Sequence, residues 1–111
     1  MCVKKGKLGN ALRAYELAGE KLPKEKIIEI GDVNVKKGAL RDAFRAYKAA
    51  GAKEKLIELG DMYLKENEPD YALRAYEAAG AKEKLIELGD MYVKKGRINA
   101  AREAYEAAER L

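Results

Sequence analysis

The chain repeats itself every 29 residues, and that period constrains its fold more than any other feature. The segment Ala50-Gly51-Ala52-Lys53-Glu54-Lys55-Leu56-Ile57-Glu58-Leu59-Gly60-Asp61-Met62-Tyr63 recurs unchanged from Ala79 to Tyr92. Tyr47, Tyr76 and Tyr105 keep the same beat, as do Gly31, Gly60 and Gly89. A period of about 20–50 residues belongs to stacked supersecondary units, none able to bury its apolar face alone. Such stacks present a long surface, so binding is expected of them rather than catalysis.

Each unit reads as a helical hairpin. Leu85, Ile86, Leu88, Gly89, Tyr92 and Val93 recur at three- and four-residue steps, one face of a helix. Lys94-Lys95-Gly96 closes it, with cations in the last turn and a glycine for the left-handed residue beyond. A second periodic run follows through Ile98, Ala101, Tyr105 and Ala108. Repeats are expected over about 24–50, 53–79 and 82–111, with Pro69 at the start of a second helix, where its missing N–H costs little. Residues 1–19 read as a half repeat: Gly6, Leu8, Ala11, Leu12, Tyr15 and Ala18 match a second helix, while Cys2 to Lys5 are all that remains of a first. The count is about seven helices in one domain of 111 residues.

The pattern Leu88-Gly89, Tyr92, Gly96, Ala101, Tyr105, Ala108 resembles the consensus of the tetratricopeptide (TPR) repeat. Leu59-Gly60, Tyr63, Ala72, Tyr76, Ala79 repeats it, as does Ile30-Gly31, Gly38, Ala43, Tyr47, Ala50. The resemblance covers essentially the whole chain. It implies an all-α fold, a short right-handed α-solenoid of stacked antiparallel hairpins whose first helices line a concave face. Gly60 and Ala72 would let two helices approach closely, with Tyr76 filling the space beyond. Two departures stand out. The repeat is shorter than the family's roughly 34 residues, which resembles the compact hairpins of coat-type α-solenoids, and Asn34 replaces the tyrosine of Tyr63 and Tyr92.

Composition narrows the chemistry. Serine, threonine, glutamine, histidine and tryptophan are absent, so the hydroxyl and imidazole groups of acyl transfer are missing. Cys2 is the only thiol, which bars an intramolecular disulfide and suggests a reducing compartment. With neither histidine nor several cysteines, no zinc or copper site is expected. No enzyme activity and no cofactor are expected. No apolar run approaches the roughly 18 residues of a membrane helix, and no secretory signal begins the chain. A cytoplasmic location is therefore expected. The dominance of Lys, Glu, Arg, Ala and Leu points to a thermophile, with a consensus-like design as the alternative. The irregular Leu22-Pro23-Lys24 and Glu66-Asn67-Glu68-Pro69-Asp70 favour a natural protein.

The two ends differ. Leu12, Phe44 and Leu73 align with Arg102, and Gly19, Gly51 and Gly80 with Glu109, so the last hairpin reads as a terminal repeat with a polar outer side. At the other end Leu8, Leu12 and Tyr15 would be partly uncovered. Either a longer parent supplies the cover, or two copies pair there as a symmetric homodimer.

The binding residues are expected on the first helices. Ile28, Asp32, Val35 and Lys36 form one stripe; Ile57, Asp61, Leu64 and Lys65 repeat it, then Ile86, Asp90, Val93 and Lys94. Stacking would align the three aspartates in a groove suited to a peptide of a partner protein with aliphatic anchors and a basic residue. The plainer reading is that each Asp supports the Lys four residues later, worth a few tenths of a kcal/mol. Carboxylate-ending peptides, bound by chaperone-associated members of the family, do not fit these residues. Two other functions remain in view. Lys4-Lys5-Gly6-Lys7, Lys36-Lys37-Gly38 and Lys94-Lys95-Gly96-Arg97, with Arg13, Arg45 and Arg74, could follow a nucleic-acid backbone. The plainer reading is strong there, because lysines stabilise helix C-termini and Lys65-Glu66-Asn67 breaks the row. A scaffold that self-assembles through its N-terminal end is the other.

Overall fold

Helix follows helix throughout the computed structural model, which describes residues 22–111. The described helices are α1 (Lys24–Lys36), α2 (Leu40–Ala50), α3 (Lys53–Lys65), α4 (Pro69–Ala79), α5 (Lys82–Lys94) and α6 (Ile98–Glu109). No strand occurs among the described residues. The expected half repeat, with Leu8, Leu12 and Tyr15, lies outside them, so six helices stand where about seven were expected.

The helix ends follow from the composition. Without serine or threonine, the chain has few good N-caps, and α1, α2, α4, α5 and α6 start at Pro23, Ala39, Glu68, Ala81 and Arg97 with no side-chain cap. Glutamate in the first turn and lysine in the last complement the helix dipole of α3 and α5. Pro69 occupies the first turn of α4. At the C-termini of α2 and α4, Gly51 and Gly80 adopt φ of 64° and 67°, and the following amides return to Tyr47 and Tyr76 carbonyls at 3.0 Å. That return bond consumes a carbonyl the helix leaves unpaired.

Within each hairpin the same turn closes the first helix. The amides of Ala39, Glu68 and Arg97 donate to the carbonyls of Asn34, Tyr63 and Tyr92 at 2.8, 2.8 and 2.9 Å. The turn needs one left-handed residue, supplied by Gly38, Asn67 and Gly96. Asparagine is the side chain that best tolerates this region, so the middle hairpin keeps its turn without glycine.

Paired helices meet through a glycine. A methyl group on Gly31 would lie 2.4 Å from a ring carbon of Tyr47; on Gly60 or Gly89, 2.5 Å from Tyr76 or Tyr105. Each tyrosine ring therefore lies directly on the backbone of the facing helix, and only glycine leaves room. Alanines complete the contact, with Ala43, Ala46, Ala72, Ala75, Ala101 and Ala104 buried.

The chain falls into two units, one ending at Ala52 and the other Lys53–Leu111. In the first, α1 packs against α2. In the second, α3 pairs with α4 and α5 with α6, and α4 also packs against both α5 and α6. Its core contains Leu56, Leu59, Tyr63, Leu85, Leu88 and Tyr92. Each such burial is worth about 1.5–3 kcal/mol. The Tyr63 ring stacks on Tyr71 at 5.3 Å. Tyr105 is only half-buried. The final helix runs on through Glu109 to a right-handed cap at Arg110, and Arg110 pairs with Glu77 at 3.0 Å.

Asn34 is the exception to an apolar interior. It is fully buried, and among the described residues neither its amide nitrogen nor its oxygen has a hydrogen-bond partner. Tyr63 and Tyr92 hold the equivalent places. A buried unsatisfied polar group destabilises by about 1–3 kcal/mol.

Two stability measurements check this account. Alanine exceeds glycine in helix preference by about 1 kcal/mol, yet Gly60→Ala is expected to destabilise by about 1–3 kcal/mol because Tyr76 must move. An unchanged or raised unfolding midpoint would remove the ring-on-backbone contact from the account. Asn34→Leu is expected to stabilise by about 1 kcal/mol or more; a loss instead would mean that the amide is satisfied in solution.

Candidate functional site

Each of the three aspartates is built into the clasp that joins the two helices of its hairpin. Asp32, Asp61 and Asp90 each directly follow the glycine under a tyrosine ring. With the ring seated on that glycine, its hydroxyl reaches the adjoining carboxylate. Tyr47 donates to Asp32 Oδ1, Tyr76 to Asp61 Oδ1 and Tyr105 to Asp90 Oδ1, each at 2.5 Å. Short O–H···O bonds are the expected form when the acceptor is a carboxylate.

The electrostatics agree with this geometry. Burial, then the hydrogen bond and charge of Asp61 and the charge of Glu87, push the Tyr76 phenol well above its usual value. Tyr105 is also raised, chiefly by its bond to Asp90. Burial and the nearby Asp70 carboxylate raise Tyr92, against an opposing effect of Arg97. Tyr76 and Tyr105 therefore keep their protons, and remain donors, to higher pH than an ordinary tyrosine.

In the Lys53–Leu111 unit Asp61 has a second partner. Lys84 Nζ of α5 lies 3.5 Å from Asp61 Oδ1 of α3, with both side chains partly exposed. One carboxylate thus takes a phenol from α4 and an ammonium from α5. A pair this exposed contributes at most about 1 kcal/mol.

The expected groove residues divide by accessibility. Ile28, Asp32 and Val35 on α1 are half-buried, as are Ile57, Asp61 and Leu64 on α3. Lys36, Lys65 and Lys94 are exposed. On α5 the whole stripe is open: Ile86 is 39% and Val93 46% exposed, on either side of the exposed Asp90. In the second unit the Lys84–Asp61 pair links the stripe of α3 to α5. The α1 stripe belongs to the first unit.

Sequence reading singled out glycine, aspartate and tyrosine separately and missed their union. The signal was present as Gly31-Asp32 with Tyr47, Gly60-Asp61 with Tyr76 and Gly89-Asp90 with Tyr105, at one fixed separation. It was obscured because Lys36, Lys65 and Lys94, one helical turn on, offered a nearer explanation.

The lysine edge is interrupted. Lys36, Lys37, Lys94, Lys95 and Arg97 are exposed. An open cleft of about 690 Å³ at the turns of the second unit is lined by Asn67, Glu68, Asp70, Tyr71, Tyr92 and Arg97 among others. Its carboxylates work against a phosphate backbone. Among the described residues no group of three or more acidic, histidine or cysteine side chains is placed to hold a metal. No described helix is long and apolar enough to cross a membrane. Family models and curated protein sequences contain no match to this chain.

The clasp has a pH signature. Tyr76→Phe is expected to destabilise by about 1–2 kcal/mol near neutrality. The folded phenol ionises above the unfolded one, so this stabilisation is complete below about pH 10 and is lost as pH rises further. The gap in unfolding free energy between wild type and Tyr76→Phe should therefore narrow above about pH 10; a constant gap there would separate Tyr76 from the clasp energetics.

Proposed function

We propose that the chain is a TPR-like solenoid module that binds a peptide segment of a partner protein along the face of its first helices, without catalysis. The contact residues are Ile28, Asp32, Val35, Lys36, Ile57, Asp61, Leu64, Lys65, Ile86, Asp90, Val93 and Lys94. The observation that carries this reading is the open stripe on α5, where Ile86 and Val93 expose 39% and 46% of their surface around Asp90. Two aliphatic side chains at a two-turn spacing with a carboxylate between them suit a ligand of aliphatic anchors and a basic group. The lack of Ser, Thr and His supports binding over chemistry.

Selection of displayed random peptides on the purified chain tests the proposal. Enriched peptides are expected to bind with Kd of order 1–100 μM and to lose at least about tenfold in affinity to Ile86→Asp or Val93→Asp. Both positions are exposed, so the variants should unfold at the wild-type temperature. Selection that enriches nothing, or peptides indifferent to both changes, would overturn the reading.

A further inference from the structure

We propose that the cleft between the N-termini of α4 and α6 binds a short zwitterion, a dipeptide-sized molecule with a free ammonium at one end and a free carboxylate at the other. This site is separate from the stripe on the first helices and goes beyond the binding function proposed above.

The cleft, of about 690 Å³, lies wholly within the Lys53–Leu111 unit. Small-molecule sites commonly enclose about 300–1,000 Å³. Its two walls carry opposite charge. One is the start of α4, where Glu68 and Asp70 flank Pro69, both carboxylates exposed. The other is the start of α6, with the Arg97 guanidinium exposed. There the Ile98, Asn99 and Ala100 amides precede the first helical hydrogen bond, donated by the Ala101 amide to the Arg97 carbonyl. Orphan amides beside a guanidinium suit a carboxylate, and no acidic residue in that first turn competes for them.

The walls do not neutralise one another. Among the described residues neither Arg97 nor Glu68 nor Asp70 belongs to an ion pair. Both walls nevertheless act on one buried ring: burial raises the Tyr92 phenol most, Asp70 raises it further and Arg97 lowers it. The backbone fixes each charge, Asp70 in the first turn of α4 and Arg97 by its amide bond to the Tyr92 carbonyl at 2.9 Å. Opposite charges fixed apart and unpaired are bridged by a ligand that carries the complementary pair. A free amino acid holds its charges side by side, whereas two residues span about 7 Å and set them on separate walls. Between the charges, the half-buried Tyr71 ring and Ile98, 57% exposed, offer apolar surface to one ligand side chain.

The test follows the backbone amides of the full chain by NMR while alanylphenylalanine is added, then its N-acetyl and C-terminal amide forms. The free dipeptide is expected to saturate with Kd of order 0.1–1 mM, shifting Asp70, Arg97 and Asn99 most. Blocking either end should weaken it at least about tenfold. Arg97→Gln should bring the free dipeptide down to the affinity of the amide form and leave that form unchanged. Glu68→Gln with Asp70→Asn should do the same for the acetyl form. The blocked dipeptides on the wild type decide the matter even where a variant unfolds. Failure to saturate below about 10 mM, blocked forms that match the parent, or shifts confined to other helices would overturn the proposal. Free phenylalanine binding more tightly than the dipeptide would overturn the span between the walls.

Discussion

Contact between a tyrosine ring and the backbone of a glycine is the constraint on which the hairpins depend. Tyr47, Tyr76 and Tyr105 lie so close to Gly31, Gly60 and Gly89 that even a methyl group would collide. A flat ring against a bare helix backbone maximises dispersion contact over a small area. It also aims the hydroxyl at the next residue. Because that residue is aspartate each time, the same side chain that packs the helices also bonds them. Packing and polar satisfaction are therefore one device, repeated three times in the described chain.

This device changes how the aspartates should be understood. A row of carboxylates on a helix face suggests a free acidic surface. Here each carboxylate already serves its own hairpin, and its capacity for an outside partner is what remains after the tyrosine bond. Asp61 demonstrates that the remainder is enough for a lysine. Structural and binding roles are thus compatible at one residue. The phenol takes one lone pair of the carboxylate, which has others for a second partner.

The same logic explains why the repeats are not equivalent despite their sequences. Ile57 and Ile86 sit in identical local sequence, and one is half-buried while the other is exposed. Tyr76 is buried and Tyr105 only half so. The α3–α4 and α5–α6 hairpins pack through α4, so α4 is held on more sides than α6. Arg102 and Glu109 replace apolar and glycine positions on the second helix of that unit, whereas α5 keeps its aliphatic residues unchanged. These polar replacements are thus confined to α6.

Much of this was legible in the chain itself. The period, the hairpins, the helix limits near Lys53, Ala79 and Lys94, and the glycine turns all follow from local rules of spacing and backbone freedom that neighbouring residues are sufficient to express. Asn34 was visible as a departure from the tyrosine pattern, but its burial without partners was not, since a side chain's satisfaction depends on groups distant in sequence. The tyrosine–aspartate bonds lay between these cases: their spacing was printed in the sequence, yet only two helices folded side by side give that spacing a distance. Lys84 beside Asp61 and the open stripe on α5 belong wholly to tertiary structure. Helices that differ only at Leu64 and Val93 acquire different surroundings from what packs against them, and no local sequence rule encodes a neighbour.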